Sequence, residues 1–380
     1  MISRYIQPFL IEHLSRQPNK LLLLLGPRQT GKTTLVKAAA EQFRGRVSYL
    51  TGDDPTVRLR LTNVGIEGLR PLLEGYDLLV LDEAQRIRNI GLTLKLMTDQ
   101  FPKTRVIATG SSSFELANRI NEPLTGRKVE YYLYPICWQE WSEHVGTFAA
   151  ESGLEQRLLY GMYPEVLTQP GREQEVLAGL SSDNLYRDLL SFAPIRKPEL
   201  LEQLLQALAL QVGAEVSYNE LSLLLKMDKQ TIAHYIRALE QAYVIFRLGP
   251  FSRNLRNEIS ATRKIYFYDN GIRNTLIGNF SPLALRQDKG ALWENFLLSE
   301  RLKCNRYARR HFVNTYFWRT KQGQEIDYLE ERDGRISAFE FKWNPARMPK
   351  VPAVFANAYS AQDFSVVSPE NFRDFLRIEV

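Results

Sequence analysis

An α/β fold built on a parallel sheet is the architecture the sequence predicts, and three observations predict it. Short apolar or β-rich runs recur through residues 1–148, at Leu21–Leu25, Val47–Leu50, Leu78–Leu81, Val106–Thr109 and Val129–Leu133. The first four run into polar or glycine residues, and Pro135 closes the fifth. Helical stretches lie between them, the clearest at Thr33–Phe43 with the strong formers Ala38–Ala40. Runs that are apolar throughout, rather than alternating, suit strands buried on both faces, as in a parallel sheet covered by helices.

The composition is consistent with this. The chain has 380 residues, 44% hydrophobic and 24% charged, a globular balance that excludes disordered and fibrous classes. Two cysteines, Cys137 and Cys304, exclude a disulfide scaffold and a four-thiolate zinc site. They read as packing residues. His13, His144, His234 and His311 are too scattered to suggest a metal site. The longest aliphatic run, Leu21–Leu25, is far short of the roughly 20 residues that span a bilayer. The first ten residues lack an apolar core with a small-residue cleavage site, which predicts a cytoplasmic protein with no membrane partner.

The net charge of +6 is unevenly placed. Residues 251–380 carry 21 basic and 15 acidic side chains, whereas residues 1–250 carry 28 of each. A basic module beside a neutral one points to an anionic partner for that module.

Four segments follow in order. Residues 1–148 form the predicted parallel-sheet domain. Residues 149–200 are Leu- and Glu-rich and helical, broken at Gly161–Pro164 and Gln169–Gly171, and are expected to form a helical lid. Residues 201–255 read as helix, turn, helix and strand, the winged-helix order. Residues 256–380 open with a strand at Lys264–Tyr268 and a helix at Ala291–Cys304. Strands Thr315–Arg319, Glu325–Glu330 and Ile336–Lys342 follow, the last two joined by a hairpin turn at Asp333-Gly334.

The strongest chemical signal is Gly26-Pro27-Arg28-Gln29-Thr30-Gly31-Lys32-Thr33, followed by Thr34. It fits the phosphate-binding loop G-x-x-x-x-G-K-[ST] at every fixed position, and it leaves an apolar strand to open a helix. Glycines let the backbone wrap a phosphate with its N–H groups inward. Lys32 then reaches the β- and γ-phosphates, and the Thr33 hydroxyl ligates Mg²⁺. Downstream, Leu78–Leu81 ends in Asp82-Glu83. Asp82 would hold Mg²⁺ through water, and Glu83 would polarise the attacking water. ATP and Mg²⁺ are therefore the expected cofactors.

These residues join a longer series: Asp82-Glu83-Ala84-Gln85, Thr109-Gly110-Ser111-Ser112, Leu124–Arg127, Tyr134-Pro135, Gly161–Glu165, Lys264–Asp269 with Gly271, and Gly290 with Trp293–Asn295. Over nearly the whole chain the series resembles a large prokaryotic family of AAA-type ATPases with a C-terminal domain of unknown function. The resemblance implies a sensor-1 role for Thr109 or Ser111, contacting the γ-phosphate or attacking water. It also implies an arginine finger acting on a neighbouring subunit, with Arg127 the first choice and Arg119 the second. A homo-oligomer follows from that.

The C-terminal domain of that family resembles the restriction-endonuclease fold, PD-(D/E)XK, which places an acid on its first helix, Asp on the second strand and E-x-K on the third. Here these would be Glu294, Asp327, Glu340 and Lys342. Residues i and i+2 of a strand share a face, so Glu340 and Lys342 point together. Asp327 and Glu340 could then share Mg²⁺ at a scissile phosphate, with Lys342 stabilising charge.

Arg301, Lys303, Arg306, Arg309 and Arg310 lie within ten residues, interleaved with Tyr307 and His311. Such a strip suits phosphate contact with base stacking. In the third segment Lys226, Lys229, Gln230, Thr231, His234 and Arg237 flank the turn and second helix, the expected reader if DNA binds there. The expected function is ATP hydrolysis controlling a nucleic-acid-acting module, DNA before RNA. The alternative is a switch whose C-terminal module binds protein or nucleic acid without cutting it.

Overall fold

A computed structural model of the chain describes residues 2–15, 20–111, 124, 126–181, 198–251, 262–310, 312–344, 349–359 and 363–378. They form two compact units. The first is built from Met1–Ile136, with the short segment Gln241–Tyr243, and the second from most of the chain beyond. Ser112, Arg119 and His311 lie outside the described residues. Among the described residues no helix is long and apolar enough to cross a membrane.

The first unit is a parallel sheet of strands β1 (Leu21–Leu25), β2 (Val47–Thr51), β3 (Leu78–Asp82), β4 (Arg105–Gly110) and β5 (Lys128–Tyr132), in the order β2-β3-β4-β1-β5. Each lies within a residue or two of its expected bounds. All five leucines of β1 and the apolar residues of β3 are buried, which is why those runs show no alternation. Each such side chain contributes about 1.5–3 kcal/mol of burial. Five helices accompany these strands: α1 (Gln7–Ser15), α2 (Lys32–Gln42), α3 (Pro55–Leu61), α4 (Ile66–Leu73) and α5 (Ile90–Gln100). Because the strands are parallel, the loop after β1 and the ends of β3 and β4 meet at one edge, where open α/β sheets bind ligands.

In the second unit, helices α6 (Trp138–Val145), α7 (Thr147–Ser152), α8 (Leu154–Tyr160), α9 (Pro164–Thr168) and α10 (Glu173–Gly179) precede α11 (Pro198–Leu210). Next come β6 (Glu215–Val216), α12 (Tyr218–Leu225), α13 (Lys229–Gln241), β7 (Ile245–Pro250), β8 (Arg263–Phe267), α14 (Asn270–Leu276) and α15 (Lys289–Tyr307). The unit ends with β9 (Asn314–Arg319), β10 (Glu325–Arg332), β11 (Arg335–Phe341), α16 (Ala353–Ala358), β12 (Asp363–Val367) and α17 (Phe372–Phe375). Asp333 and Gly334 both have positive φ, the hairpin geometry expected between β10 and β11.

The seven strands form one sheet, β12-β11-β10-β9-β7-β8-β6. β7 pairs in parallel with β9 at Gly249↔Tyr316 and Pro250↔Phe317, so the sheet runs across the segment boundary expected at residue 255. The helices expected as a lid are built into this unit. The Asn270 and Asn274 amides donate to the Leu158 carbonyl, each at 3.2 Å. The Asp269 carboxylate accepts the Met162 N–H at 2.7 Å and the Ile272 N–H at 3.2 Å. The Asn295 amide pairs with both backbone groups of Phe267. Met162, Asp269 and Asn295 of the motif series are thus framework, tying one helical segment to the sheet.

Candidate functional site

In the phosphate-binding loop, a Cβ at Gly26 (φ +147) would overlap the Leu133 carbonyl oxygen, so only glycine lets the chain leave β1 there. Gly31 is left-handed at the start of α2. The buried Lys32 ammonium donates to the Gly26 carbonyl at 2.9 Å and the Pro27 carbonyl at 2.6 Å. Thr30 closes the turn onto Pro27 at 3.0 Å. A residue the sequence reading missed braces this loop. Buried Arg4 donates to the carbonyls of Thr30 and Tyr134, both at 2.6 Å. An N-terminal arginine far from any motif gives no linear signal of that role.

Asp82 gathers hydroxyls. Its carboxylate accepts Thr33 Oγ1 at 2.8 Å and the Tyr49 hydroxyl at 2.7 Å, and it also accepts Thr109 Oγ1. Burial first, and then the Asp82 carboxylate, hold the Tyr49 phenol well above its usual pKa. Tyr49, on β2, was not foreseen; it reaches Asp82 because β2 and β3 are neighbours, with Thr51 level with Asp82. The hard oxygen donors Thr33 and Asp82, side by side, suit Mg²⁺.

Glu83 follows in a left-handed conformation, φ +50 and ψ +41, a strained geometry for a non-glycine residue that clusters at functional sites. Its N–H donates to Thr109 Oγ1 at 3.0 Å. A Cβ at Gly52 would overlap the Glu83 carbonyl oxygen, so the end of β2 must be glycine to pass it. The Gln85 amide donates to Glu83 Oε2 at 2.7 Å and to Ser111 Oγ at 3.1 Å. Both sensor candidates, Thr109 and Ser111, therefore touch the Asp82-Glu83 pair or its support.

Arg127 sits elsewhere. Its carbonyl accepts the Leu21 N–H at 2.9 Å, at the amino ends of β1 and β5, and its Nε pairs with Asp99 at 2.7 Å. That is the end of the sheet opposite the phosphate-binding loop, about 13 Å away along a five-residue strand. Arg127 cannot serve its own chain's nucleotide from there.

In the second unit, the four residues expected of a nuclease-like site lie near enough for their charges to act on one another. Glu294 projects from α15 and accepts the Tyr266 hydroxyl at 2.6 Å and Lys264 Nζ at 3.3 Å. Lys264 also pairs with Glu325. Asp327 accepts the Phe341 N–H at 2.7 Å, and Lys342 donates to Glu340 at 2.7 Å. Asp327 lies where the β9–β10 register shifts between Ile326 and Leu329; such a bulge re-aims a side chain. Burial, then the charges of Glu294 and Glu340, push the Asp327 carboxyl up to about 8. Burial also raises Glu294, against the pull of Lys264 and Tyr266. Burial works against the Lys264 ammonium, but Glu294 and Glu325 hold its pKa above the usual value.

Lys264, Tyr266 and Glu325 are additions to the expected set. A lysine two residues before a tyrosine in an otherwise apolar strand was the available signal for the first two. Among the described residues no group of three His, Cys, Asp or Glu side chains stands in position to hold a metal ion.

The expected basic strip is corrected by burial. Arg301 is buried and donates to Glu330 through Nε and Nη2, at 2.8 and 2.6 Å. Lys303 is buried against Glu300 at 2.5 Å, and Tyr307 is buried as well. Arg306 and Arg309 are exposed and Arg310 is half-buried. The long α15 turns Arg301 and Lys303 inward because acids await them there. On the third segment, Lys226, Lys229, Gln230, His234 and Arg237 are exposed, and Thr231 is half-buried against Asp228.

Three family descriptions match the chain. Residues 18–142 match an AAA domain, residues 151–283 a domain of unknown function (DUF8612) and residues 289–375 another (DUF4143). The first unit thus carries an AAA domain of the P-loop ATPase kind, which implies nucleotide binding. An uncharacterised protein of Mycobacterium tuberculosis is 29% identical over 337 residues, 87% of this chain and 71% of its own length. One from Haemophilus influenzae is 24% identical over 210 residues, 52% of each chain. The Walker-type ATPase of Pyrococcus abyssi is similar in structure at a TM-score of 0.48, with 18% identity, covering 73% of this chain and 96% of that one.

Proposed function

We propose that the chain is a Mg²⁺-dependent ATPase whose nucleotide state governs a nucleic-acid-acting second unit. The observation that carries the first half is the convergence of Lys32, Thr33, Asp82, Glu83 and Thr109 on one edge of the parallel sheet. Lys32 and the loop N–H groups hold the phosphates, Thr33 and Asp82 hold the cation, and Glu83 takes a proton from the attacking water. When bound, Mg²⁺ neutralises charge on the phosphate oxygens. Arg127, at the far end of the sheet, fits a finger acting on a neighbouring subunit, so we read the working form as a homo-oligomer.

For the second unit the element order supports the reading. α11, β6, α12, α13, β7 and β8 follow the winged-helix order, with Lys229, Gln230, His234 and Arg237 on the outer face of its second recognition-type helix. α15, three antiparallel strands, α16 and a parallel β12 support the restriction-endonuclease reading, in which Glu294, Asp327, Glu340 and Lys342 would be the four residues of its pattern. On this reading, Asp327 and Glu340 would hold Mg²⁺.

One observation favours a second reading, a switch that binds without cutting. Lys264 and Tyr266 already donate to Glu294 Oε1, leaving that oxygen less available to a cation. One experiment separates the two: cleavage of single- and double-stranded DNA and RNA with Mg²⁺, with and without ATP, alongside ATPase rates with each nucleic acid. Cleavage lost in Asp327→Ala and Lys342→Ala supports the nuclease. DNA-stimulated ATPase without cleavage supports the switch, and neither effect removes nucleic acid as the partner.

A further inference from the structure

We propose that Gln85 positions Glu83 for hydrolysis. The inference rests on the ATPase reading above. A carboxylate can only accept hydrogen bonds, so the Gln85 amide nitrogen must face Glu83 Oε2, at 2.7 Å. The same nitrogen's second proton is directed to Ser111 Oγ, at 3.1 Å. One amide thereby ties the carboxylate after β3 to the hydroxyl after β4, across neighbouring parallel strands.

The Glu83 backbone gives this tie its purpose. Glu83 is left-handed, its N–H is bound by Thr109, and its carbonyl abuts Gly52. The main chain is therefore held on two sides, while Gln85 holds the side chain. Gln85 itself lies on the short 3₁₀ turn Ala84–Arg86 that follows Glu83, so it reaches back over a single residue. The opposite end of its amide, Oε1, is buried and has no hydrogen-bond partner among the described residues.

In the hydrolytic step a water oxygen bonds to the γ-phosphorus, the bond from that phosphorus to the β–γ bridging oxygen breaks, and one water proton passes to the Glu83 carboxylate. The products are ADP and inorganic phosphate. The angle at which Glu83 meets the water decides whether that proton can leave. Gln85 sets this angle, and through Ser111 it links the angle to the tip of β4, the sensor position on the ATPase reading.

The test uses the full chain with Mg²⁺ and ATP, comparing wild type, Gln85→Ala, Gln85→Glu and Glu83→Gln. Gln85→Ala is expected to lower kcat about 10- to 100-fold while ATP affinity stays within about threefold. Gln85→Glu removes the donating amide and sets a second acceptor against the Glu83 carboxylate, so kcat is expected to fall at least as far as in Gln85→Ala, again with ATP affinity within about threefold. A purely structural residue would lose ATP affinity along with kcat. The proposal is overturned if Gln85→Ala keeps kcat within about twofold of wild type while Glu83→Gln arrests turnover. It is equally overturned if Gln85→Ala loses ATP affinity in proportion to kcat, or if Gln85→Glu turns over as fast as wild type. Full turnover in Glu83→Gln, or a wild type that binds ATP without hydrolysing it, would instead remove the hydrolytic reading and this inference with it.

Discussion

Thr33 Oγ1 lies 2.8 Å from Asp82 Oδ2, although 49 positions separate them in the chain. The hydroxyl opens α2 and the carboxylate ends β3, and only the parallel sheet brings the two ends level. Tyr49 and Thr109 share the same carboxylate, so Asp82 is the hub of the site.

Removing that charge should therefore separate nucleotide binding from cation binding. Asp82→Asn is expected to keep ATP binding measured without Mg²⁺ and to lose the added affinity that Mg²⁺ confers, by about 10- to 100-fold. Isothermal titration with and without the cation checks this; an unchanged Mg²⁺ effect would reject Asp82 as the cation's partner.

Lys32→Ala should weaken ATP binding by two orders of magnitude or more, roughly the worth of a charge-assisted contact with phosphate in a buried loop. Fluorescent-nucleotide binding reads it directly, and tight binding by the variant would sink the loop assignment.

Glu83→Gln should keep ATP bound and slow hydrolysis about 10²- to 10⁴-fold. Retained nucleotide after gel filtration, together with phosphate release, measures both halves of the expectation.

Arg301 gives a stability test rather than a binding one. It forms a buried bidentate pair with Glu330, and breaking such a pair by deleting one partner costs about 3–5 kcal/mol. Arg301→Ala is expected to lower the midpoint of denaturant unfolding, whereas exposed Arg306→Ala should leave it nearly unchanged. Equal, small effects would contradict the burial of Arg301.

Asp327 sets a pH dependence. Its folded pKa, about 8, stands above the unfolded value of about 3.9. The folded state therefore holds the proton more tightly. The stability this contributes is fully present below the unfolded value and is lost as pH rises through about 8. Asp327→Asn should flatten the fall in melting temperature over that window. A wild type and variant with parallel melting profiles would overturn the assignment.

Much of the first unit was legible in the sequence. The five strands, the phosphate-binding loop and the Asp82-Glu83 pair depend on local pattern: an unbroken apolar run, a glycine at a fixed place, a carboxylate at a strand tip. The Asp333-Gly334 hairpin was legible for the same reason. The strands β6 and β12 were not, being two residues long in one case and half-exposed in the other.

The basic strip shows where linear reading fails. A count of arginines and lysines holds no information about which way α15 faces, and acids at Glu300 and Glu330 draw Lys303 and Arg301 inward. The motif residues Met162, Asp269 and Asn295 likewise proved to be joints of the framework.

By itself, then, the sequence determined the parallel-sheet scaffold of the AAA domain and its phosphate-binding-loop motif, because those follow from neighbours along the chain. Only the tertiary structure decided that Tyr49 and Thr109 share Asp82, that Gln85 grips Glu83, and that Lys264 and Tyr266 hold Glu294. It also decided that Arg127 lies at the far end of its own sheet. Each of these depends on which strands become neighbours and which faces are buried. Long-range packing sets both, and spacing along the chain does not record it.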